Sequence, residues 1–332
     1  MLKKFLIGCY TKHHVGGIHQ IIFDTQALKI INDQLIIQAN NPTYLSLLQD
    51  DIVYFINQNS NKSLSGLSVY NFKSQSLSQN FFEPGTTPAH IFLDQTNRYL
   101  YESNYHMGTV KVFKLNEKGL LTITDKLFFG NKSHPHYTGL TPDKKIIIND
   151  LGLNKTLIFQ NKNGKLIKLS EIKFTTTIGP RHLIFHPTKN ICYILGELGN
   201  KLITLKYHNK INNLEIMNIK STIDQNWTKY NGAAAIRIDC TGNFLYVSNR
   251  GMDNINVYRI EKNGIPHIIQ KVKVKGKFPR DIFLDSTESF LLSANQNSNN
   301  INIFQRNPLN GKLKFLLSHN LPEAVCIKEI KE

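Results

Sequence analysis

A proline-led unit that returns every forty-odd residues is what limits how this chain can fold. It is plainest at Ser133-His134-Pro135-His136-Tyr137-Thr138-Gly139-Leu140-Thr141-Pro142-Asp143, which reads as a turn, a short strand and a Pro-Asp turn into the next strand. Thr87-Pro88-Ala89-His90-Ile91-Phe92-Leu93-Asp94, Gly179-Pro180-Arg181-His182-Leu183-Ile184-Phe185 and Phe278-Pro279-Arg280-Asp281-Ile282-Phe283-Leu284 repeat it. Aligned on Pro42, Pro88, Pro135, Pro180, the Ala234 region, Pro279 and Pro322, there are seven units. Their spacing runs from 43 residues (Pro279 to Pro322) to 54 (Pro180 to Ala234). Self-similarity at such a period means an array of one supersecondary unit.

Within 88–127, three strands are predicted at Ile91-Phe92-Leu93, Tyr99 to Asn104 and Thr109-Val110-Lys111-Val112-Phe113. A weaker fourth falls at Leu121-Thr122-Ile123-Thr124, with turns at 94–98 and 116–119. Four antiparallel strands in each of seven units give an all-β fold, a seven-bladed β-propeller, as a single domain over residues 1–332. Phe5-Leu6-Ile7-Gly8-Cys9-Tyr10 matches the second strand of a unit and Gly17 to Phe23 the third. Pro322-Glu323-Ala324-Val325-Cys326-Ile327-Lys328 matches a first strand. The C-terminal strand is therefore expected to complete the blade that the N-terminus begins, which removes the open edges of an unclosed array. One interval, 209–232, is long and carries the only tryptophan, Trp227. It reads either as a rim element over one face or as a tolerated surface loop.

Forty Lys and Arg against twenty-four Asp and Glu give a formal charge of +16. The lysines are scattered, often in turns beside Asn, with no arginine-rich stripe, so we expect a solvated basic surface and no nucleic-acid partner. No apolar run reaches the length of a membrane helix, and no membrane partner is expected. Lys3-Lys4 before Phe5-Leu6-Ile7-Gly8-Cys9 imitates a lipoprotein cleavage site, but four apolar residues are too few for an exported leader. Cys9, Cys192, Cys240 and Cys326 form no CxxC pair and read as buried free thiols in a reducing cytoplasm.

In a propeller the first strand of each blade lines the channel and the second runs antiparallel to it. Residues at the start of the first strand and at the end of the second therefore share one face. The starts offer His90, His136, Arg181, Arg280 and Glu323. The ends offer Asn104-Tyr105, Asp150, Glu197, Asn249-Arg250 and Asn295-Gln296. Such a mouth has cations for an anion, a carboxylate and an imidazole for proton transfer, and no metal-ligand set. Each member also has a plain structural reading: His136 bonding a turn, Arg181 anchoring a loop, Glu197 as its ion-pair partner. His182 and His186 are expected to be structural. No GxSxG elbow, HExxH helix, P-loop or GxGxxG follows a strand.

These residues resemble those of the seven-bladed propeller lactonase family, whose best-known activity is 6-phosphogluconolactonase. The resemblance spans the chain. It is carried by Asn104-Tyr105, Ser133-His134-Pro135-His136, Asp150-Leu151-Gly152, Gly179-Pro180-Arg181-His182, Glu197-Leu198, Ser248-Asn249-Arg250-Gly251, Pro279-Arg280 and Ala294-Asn295-Gln296. It implies His136, Arg181, Glu197 and Arg250 as the catalytic set. Arg280, His90, Tyr105, Asn249 and Gln296 are expected around the substrate. The chain departs from the family's pattern at Ala235, where relatives usually carry an acid, and at Thr188-Lys189-Asn190, where a turn glycine is usual. The resemblance implies a cytoplasmic hydrolase that converts 6-phospho-D-glucono-1,5-lactone to 6-phosphogluconate in the pentose phosphate pathway. In it Glu197 or His136 serves as base, Arg181 meets the oxyanion, and Arg250 with Arg280 holds the phosphate. No cofactor and no metal are expected, the partner is a small anionic lactone, and the chain is expected to be a monomer. A lactonase or cycloisomerase for muconate-type dicarboxylates, and a binding propeller without chemistry, are the alternatives.

Overall fold

A computed structural model describes residues 1–49, 51–59 and 62–331. Seven four-stranded antiparallel sheets are arranged in a ring, a seven-bladed β-propeller. Blade 2 shows the unit: His90–Asp94, Tyr99–Asn104, Thr109–Leu115 and Leu121–Phe128 in order from the channel outward. The predicted strands are all present, the third and fourth extending a few residues further than the pattern suggested. The seven first strands touch one another in sequence around the channel, the last returning to the first. Closure is as expected. Ala324–Ile330 pairs with Leu2–Cys9, which pairs with Gly17–Asp24 and then Lys29–Gln38, to make blade 7.

The burial of each strand follows its place in the blade. Second and third strands are covered by neighbouring blades on both faces, so Ile146–Asp150 and Phe244–Arg250 are buried throughout. Fourth strands form the rim of the disc and alternate between half-buried and exposed, as in Lys165–Lys173. Three lysines on that strand help keep an outer edge from pairing with another chain. The apolar core is divided into inter-blade layers. Tyr101, Val110 and Val112 of blade 2 pack on Ile146, Ile148 and Phe159 of blade 3. Phe5, Ile7 and Phe23 of blade 7 pack on Phe290, Leu292 and Ile303 of blade 6. A latch recurs between blades: Tyr54, Tyr193 and Tyr246 each donate a hydroxyl hydrogen bond to the carbonyl of a turn glycine in the next blade, Gly119, Gly264 and Gly311. Those glycines have φ of 76°, 86° and 70°, a left-handed conformation that explains the residue choice.

Two expectations need correction. Cys9, Cys192 and Cys326 are buried, but Cys240 is exposed, because it sits in the tight Asp239–Gly242 turn and not in a strand. The long interval 209–232 contains the ordinary fourth strand of blade 4, Asn213–Ser221. Only the loop 222–231 is additional.

Candidate functional site

The start of the first strand carries the same irregularity in blades 3, 4 and 6. Pro135 pairs with Asp150 and Tyr137 with Asn149, which leaves His136 as an extra residue. Arg181 is extra between Pro180 and His182, and Arg280 between Pro279 and Asp281. A bulge of this kind re-aims a side chain out of the strand's alternation. Three blades thus use one device to bring His136, Arg181 and Arg280 to one mouth of the channel, here called the front.

Glu197, in the turn after Ile191–Gly196, links the site. Its Oε2 lies 2.9 Å from Arg181 Nε and 2.9 Å from Arg250 Nη2. Neither N–H points along the line to the oxygen, so both nitrogens remain buried donors without an aligned acceptor. Buried polar atoms are normally satisfied, and orphans at a mouth of this kind call for an explanation. Each of the two arginines also donates to a main-chain carbonyl. Arg181 Nη1 donates to the Ala234 carbonyl and lies 3.2 Å from His182 Nε2. Arg250 Nε donates to the Gly232 carbonyl at 3.1 Å. A Cβ at Gly232 would stand 2.9 Å from Arg250 Nη2, so glycine is what allows the guanidinium through. Arg250 also lies over the Phe278 ring at 5.2 Å. Arg280 lies over the Tyr10 ring at 5.3 Å and has no carboxylate partner among the described residues.

The electrostatics follow from three guanidiniums around one carboxylate. Burial alone would raise the Glu197 pKa, but Arg250 and Arg181 outweigh it and hold the carboxyl below its usual range. Burial, then Arg250, lowers the Arg181 guanidinium to about 9, with Glu197 acting in opposition. It is still a cation at neutral pH. His136 is pushed well below 6.5 by burial, then by Arg181 and Arg280, and its Nδ1 is buried with no hydrogen-bond partner. The imidazole is therefore neutral, with a buried ring nitrogen free of partners beside the guanidiniums. Tyr105 stacks on His134, with ring centroids 4.4 Å apart, and meets the His136 ring edge-on at 6.0 Å. The Tyr105 hydroxyl pKa is raised by burial and by Glu197. Asp150 holds the approach to His136 by accepting from Ser133 Oγ at 2.5 Å and from the His134 amide at 2.9 Å.

His136, Arg181, Glu197, Arg250 and Arg280 are thus gathered as expected, with Tyr105 beside them. Gln296 lies in the short turn after Phe290–Asn295, and its Oε1 is buried without a partner. Asn249 is fully buried, and its amide is spent within the protein. Its oxygen accepts from Thr222 and Asn231 and its nitrogen donates to Thr222 and Asn254. It anchors the 222–231 loop and has no atom left for a substrate. His90 belongs elsewhere. It is the second residue after its proline, whereas His136, Arg181 and Arg280 are the first. That places it one layer deeper, with Tyr44, Tyr137 and His182, at ring separations of 4.3, 4.7 and 5.7 Å. His182, expected to be an ordinary strand residue, is part of that layer and touches Arg181. His186 is structural as expected, accepting from the amides of Thr188 and Lys189.

The residues missed are aromatic. Phe278 has φ of 65°, unusual for an aromatic residue, and stacks on Tyr230 at 6.4 Å while carrying Arg250. Tyr230 belongs to the 222–231 loop, which settles that loop as a rim element of the front mouth. The aromatic residue immediately before Pro279 was the available signal. Among the described residues, no group of three His, Cys, Asp or Glu side chains is placed to hold a metal ion.

Three comparisons bear on this geometry. The family model described as lactonase, 7-bladed beta-propeller, matches residues 4–329. The chain is 30% identical to a protein named 6-phosphogluconolactonase from Bacillus subtilis (strain 168), over 97% of each chain. A solved structure of a protein from Lactobacillus plantarum superposes with a TM-score of 0.95 at 35% identity, over 100% of both chains. The periplasmic gluconolactonase of Pseudomonas aeruginosa superposes with a TM-score of 0.90 over 100% of this chain and 99% of that one. At 23% identity it shows the shared fold alone.

Proposed function

We propose that this chain, which belongs to the seven-bladed β-propeller lactonase family, hydrolyses 6-phospho-D-glucono-1,5-lactone to 6-phosphogluconate at the front mouth. The observation that carries the reading is the cluster of three guanidiniums around one carboxylate: Arg181 and Arg250 share Glu197, and Arg280 has no carboxylate partner among the described residues. An excess of fixed cations at one mouth selects an anion and supplies donors for an oxyanion. The name of the Bacillus subtilis relative supports the substrate.

In this reading the phosphate lies between Arg280 and Arg250, and the lactone carbonyl oxygen turns toward Arg181. Water attacks the carbonyl carbon and His136 Nδ1 takes its proton. A carbon–oxygen bond forms, and the carbonyl electron pair becomes an oxyanion stabilised by Arg181. Collapse of that intermediate breaks the ring carbon–oxygen bond, and the protonated His136 returns its proton to the departing ring oxygen. The product is the open hydroxy acid. Of the two groups expected as base, His136 suits the step better. Glu197 is held by two cations and is a weak base, whereas the imidazole is neutral with a free nitrogen. A bound phosphate offsets the surrounding guanidiniums, so substrate binding itself raises the basicity of His136 toward the working range. Four free cysteines support a reducing, cytoplasmic setting for the reaction, in the pentose phosphate pathway.

The test is hydrolysis of freshly generated 6-phosphogluconolactone, coupled to 6-phosphogluconate dehydrogenase, for wild type and Arg181→Ala. The expected result is a wild-type rate well above spontaneous opening that collapses in the variant. A wild-type rate equal to the blank would overturn the substrate. A muconate-type lactone dicarboxylate, which two guanidiniums could equally hold, would then be assayed next.

A further inference from the structure

The channel has a second, differently built chamber at its other end. A cavity of about 590 Å³ is lined by the later halves of the first strands, among them Leu183, Ile184 and Phe283, so it opens at the mouth opposite Arg181. That volume falls within the range of small-molecule sites. Its floor is the aromatic layer of Tyr44, His90, Tyr137 and His182, which separates it from the front guanidiniums. His90 and His182 are pushed well below 6.5, by burial first, so the floor is neutral at physiological pH.

The charges on its walls are mostly spoken for. Arg237 Nη2 is paired with Asp281 Oδ1 at 2.7 Å, and its Nη1 donates to the Ile236 carbonyl. Glu329 is paired with Lys3 at 2.9 Å and accepts the Ser286 amide. Lys328 has no carboxylate partner among the described residues, and its Nζ stands 5.1 Å from the centre of the Tyr44 ring. Lys331 adds an exposed cation at the rim. The combination is an aromatic floor of mutually tilted rings, apolar walls and an ammonium beside the floor with no carboxylate partner among the described residues.

We propose that this rear chamber is a second binding site, for a small organic anion with an aromatic ring: the ring packs in the angle between Tyr44 and His182, and the anionic group meets Lys328. The site does not depend on the lactonase reading of the front mouth. An anion without a ring would forfeit the floor, and an uncharged ring would forfeit Lys328. Because His182 lies 3.2 Å from Arg181, an occupant rests against the back of the catalytic layer.

Phenyl phosphate is the probe, titrated calorimetrically into wild type, Lys328→Met and Arg250→Ala. The methionine keeps an unbranched stem of similar length and removes the charge. Because the front mouth also takes a phosphate in the reading above, two saturable phases are expected in wild type. The phase that survives in Arg250→Ala belongs to the rear site, and it is weakened about tenfold in Lys328→Met, the size of one lost charge-assisted hydrogen bond. Inorganic phosphate should bind about tenfold more weakly than phenyl phosphate if the ring uses the floor. Absence of saturable binding, or equal affinity in Lys328→Met, would overturn the site. Loss of all saturable binding in Arg250→Ala would assign the probe to the front mouth and overturn it as well, and equal affinity for inorganic phosphate would overturn the ring-bearing ligand. Should Lys328→Met not fold, Lys328→Gln takes its place. The nuclear Overhauser contacts of the probe's ring protons to Tyr44, against those to Tyr105, give the same decision on the wild type.

Discussion

The two ends of the channel are lined by the same seven strands and differ in how their charges are balanced. At the front, Arg181, Arg250 and Arg280 surround a single carboxylate, Glu197, and two buried donors lack an aligned acceptor. At the rear, Arg237 and Glu329 each have a close partner of opposite sign, and Lys328 beside the floor has no carboxylate partner among the described residues. A propeller needs its first strands to be narrow and to pack against one another, and either arrangement satisfies that need. Unsatisfied charge at the front is therefore not a by-product of the architecture. It costs stability that the rear shows to be avoidable, and ligand binding is what such a cost can serve.

The comparison breaks most easily at Arg181. Arg181→Ala should lower kcat by about 100- to 1000-fold, the usual loss for one donor to a developing oxyanion. Arg237→Ala at the rear should instead show itself in the urea midpoint, because it leaves Asp281 buried and unpaired. If Arg181→Ala lost stability and kept its rate, the front arginines would be scaffold.

Glu197→Gln should cost about 2 kcal/mol of stability, less than a fully buried pair because a fifth of the side chain is exposed. The sign with pH is fixed by the direction of the shift. The folded carboxyl titrates below its unfolded value, so its contribution is present above the ordinary carboxylate range and lost as pH falls through the lowered value. Urea midpoints of wild type and variant should accordingly converge in acid. A difference that persisted there would mean that Glu197 acts by packing and not by charge.

The layer between the two mouths gives a third effect. His90, His136 and His182 all have folded pKa values well below 6.5, so the unfolded chain binds protons that the folded one does not. Their neutral burial contributes fully above about pH 6.5, and stability should fall below it by about 1.4 kcal/mol per pH unit for each histidine. His182→Asn should reduce that slope by one histidine's share in urea titrations between neutral pH and the onset of carboxylate protonation. An unchanged slope would place His182 outside the buried layer.

The smallest expected effect is at the rim. Tyr230→Ala removes the ring stacked on Phe278, which carries Arg250, and should raise KM a few-fold, about 0.5–1 kcal/mol, with kcat nearly unchanged. A larger fall in kcat than in 1/KM would make the loop part of the reacting geometry.

Much of this was legible in the sequence because its causes are local. The Pro-led unit, its alternating strands and its turn residues set the blade, and their sevenfold recurrence set the ring. The unpaired second-strand and first-strand texts at the two ends set the closure. His136, Arg181, Glu197, Arg250 and Arg280 could be assigned to one mouth because antiparallel neighbours bring a strand's start beside the next strand's end.

Only the tertiary structure decided the rest. A bulge after Pro135, Pro180 and Pro279 turns the first residue into the mouth and leaves the second facing the layer beneath, and in a strand a shift of one residue exchanges the two sides. His90 and His182 therefore lie in a wall between two chambers, which their one-letter context could not show. Asn249 was lost from the mouth because its amide is bound by Thr222 and Asn231, residues of a loop whose path no local pattern encodes. Which side Glu197 takes, and that it holds two arginines at once, depends on two blades meeting at one point. Charge pairing across blades is settled by distances of a few ångströms between residues far apart in the chain, and periodicity carries no information about those.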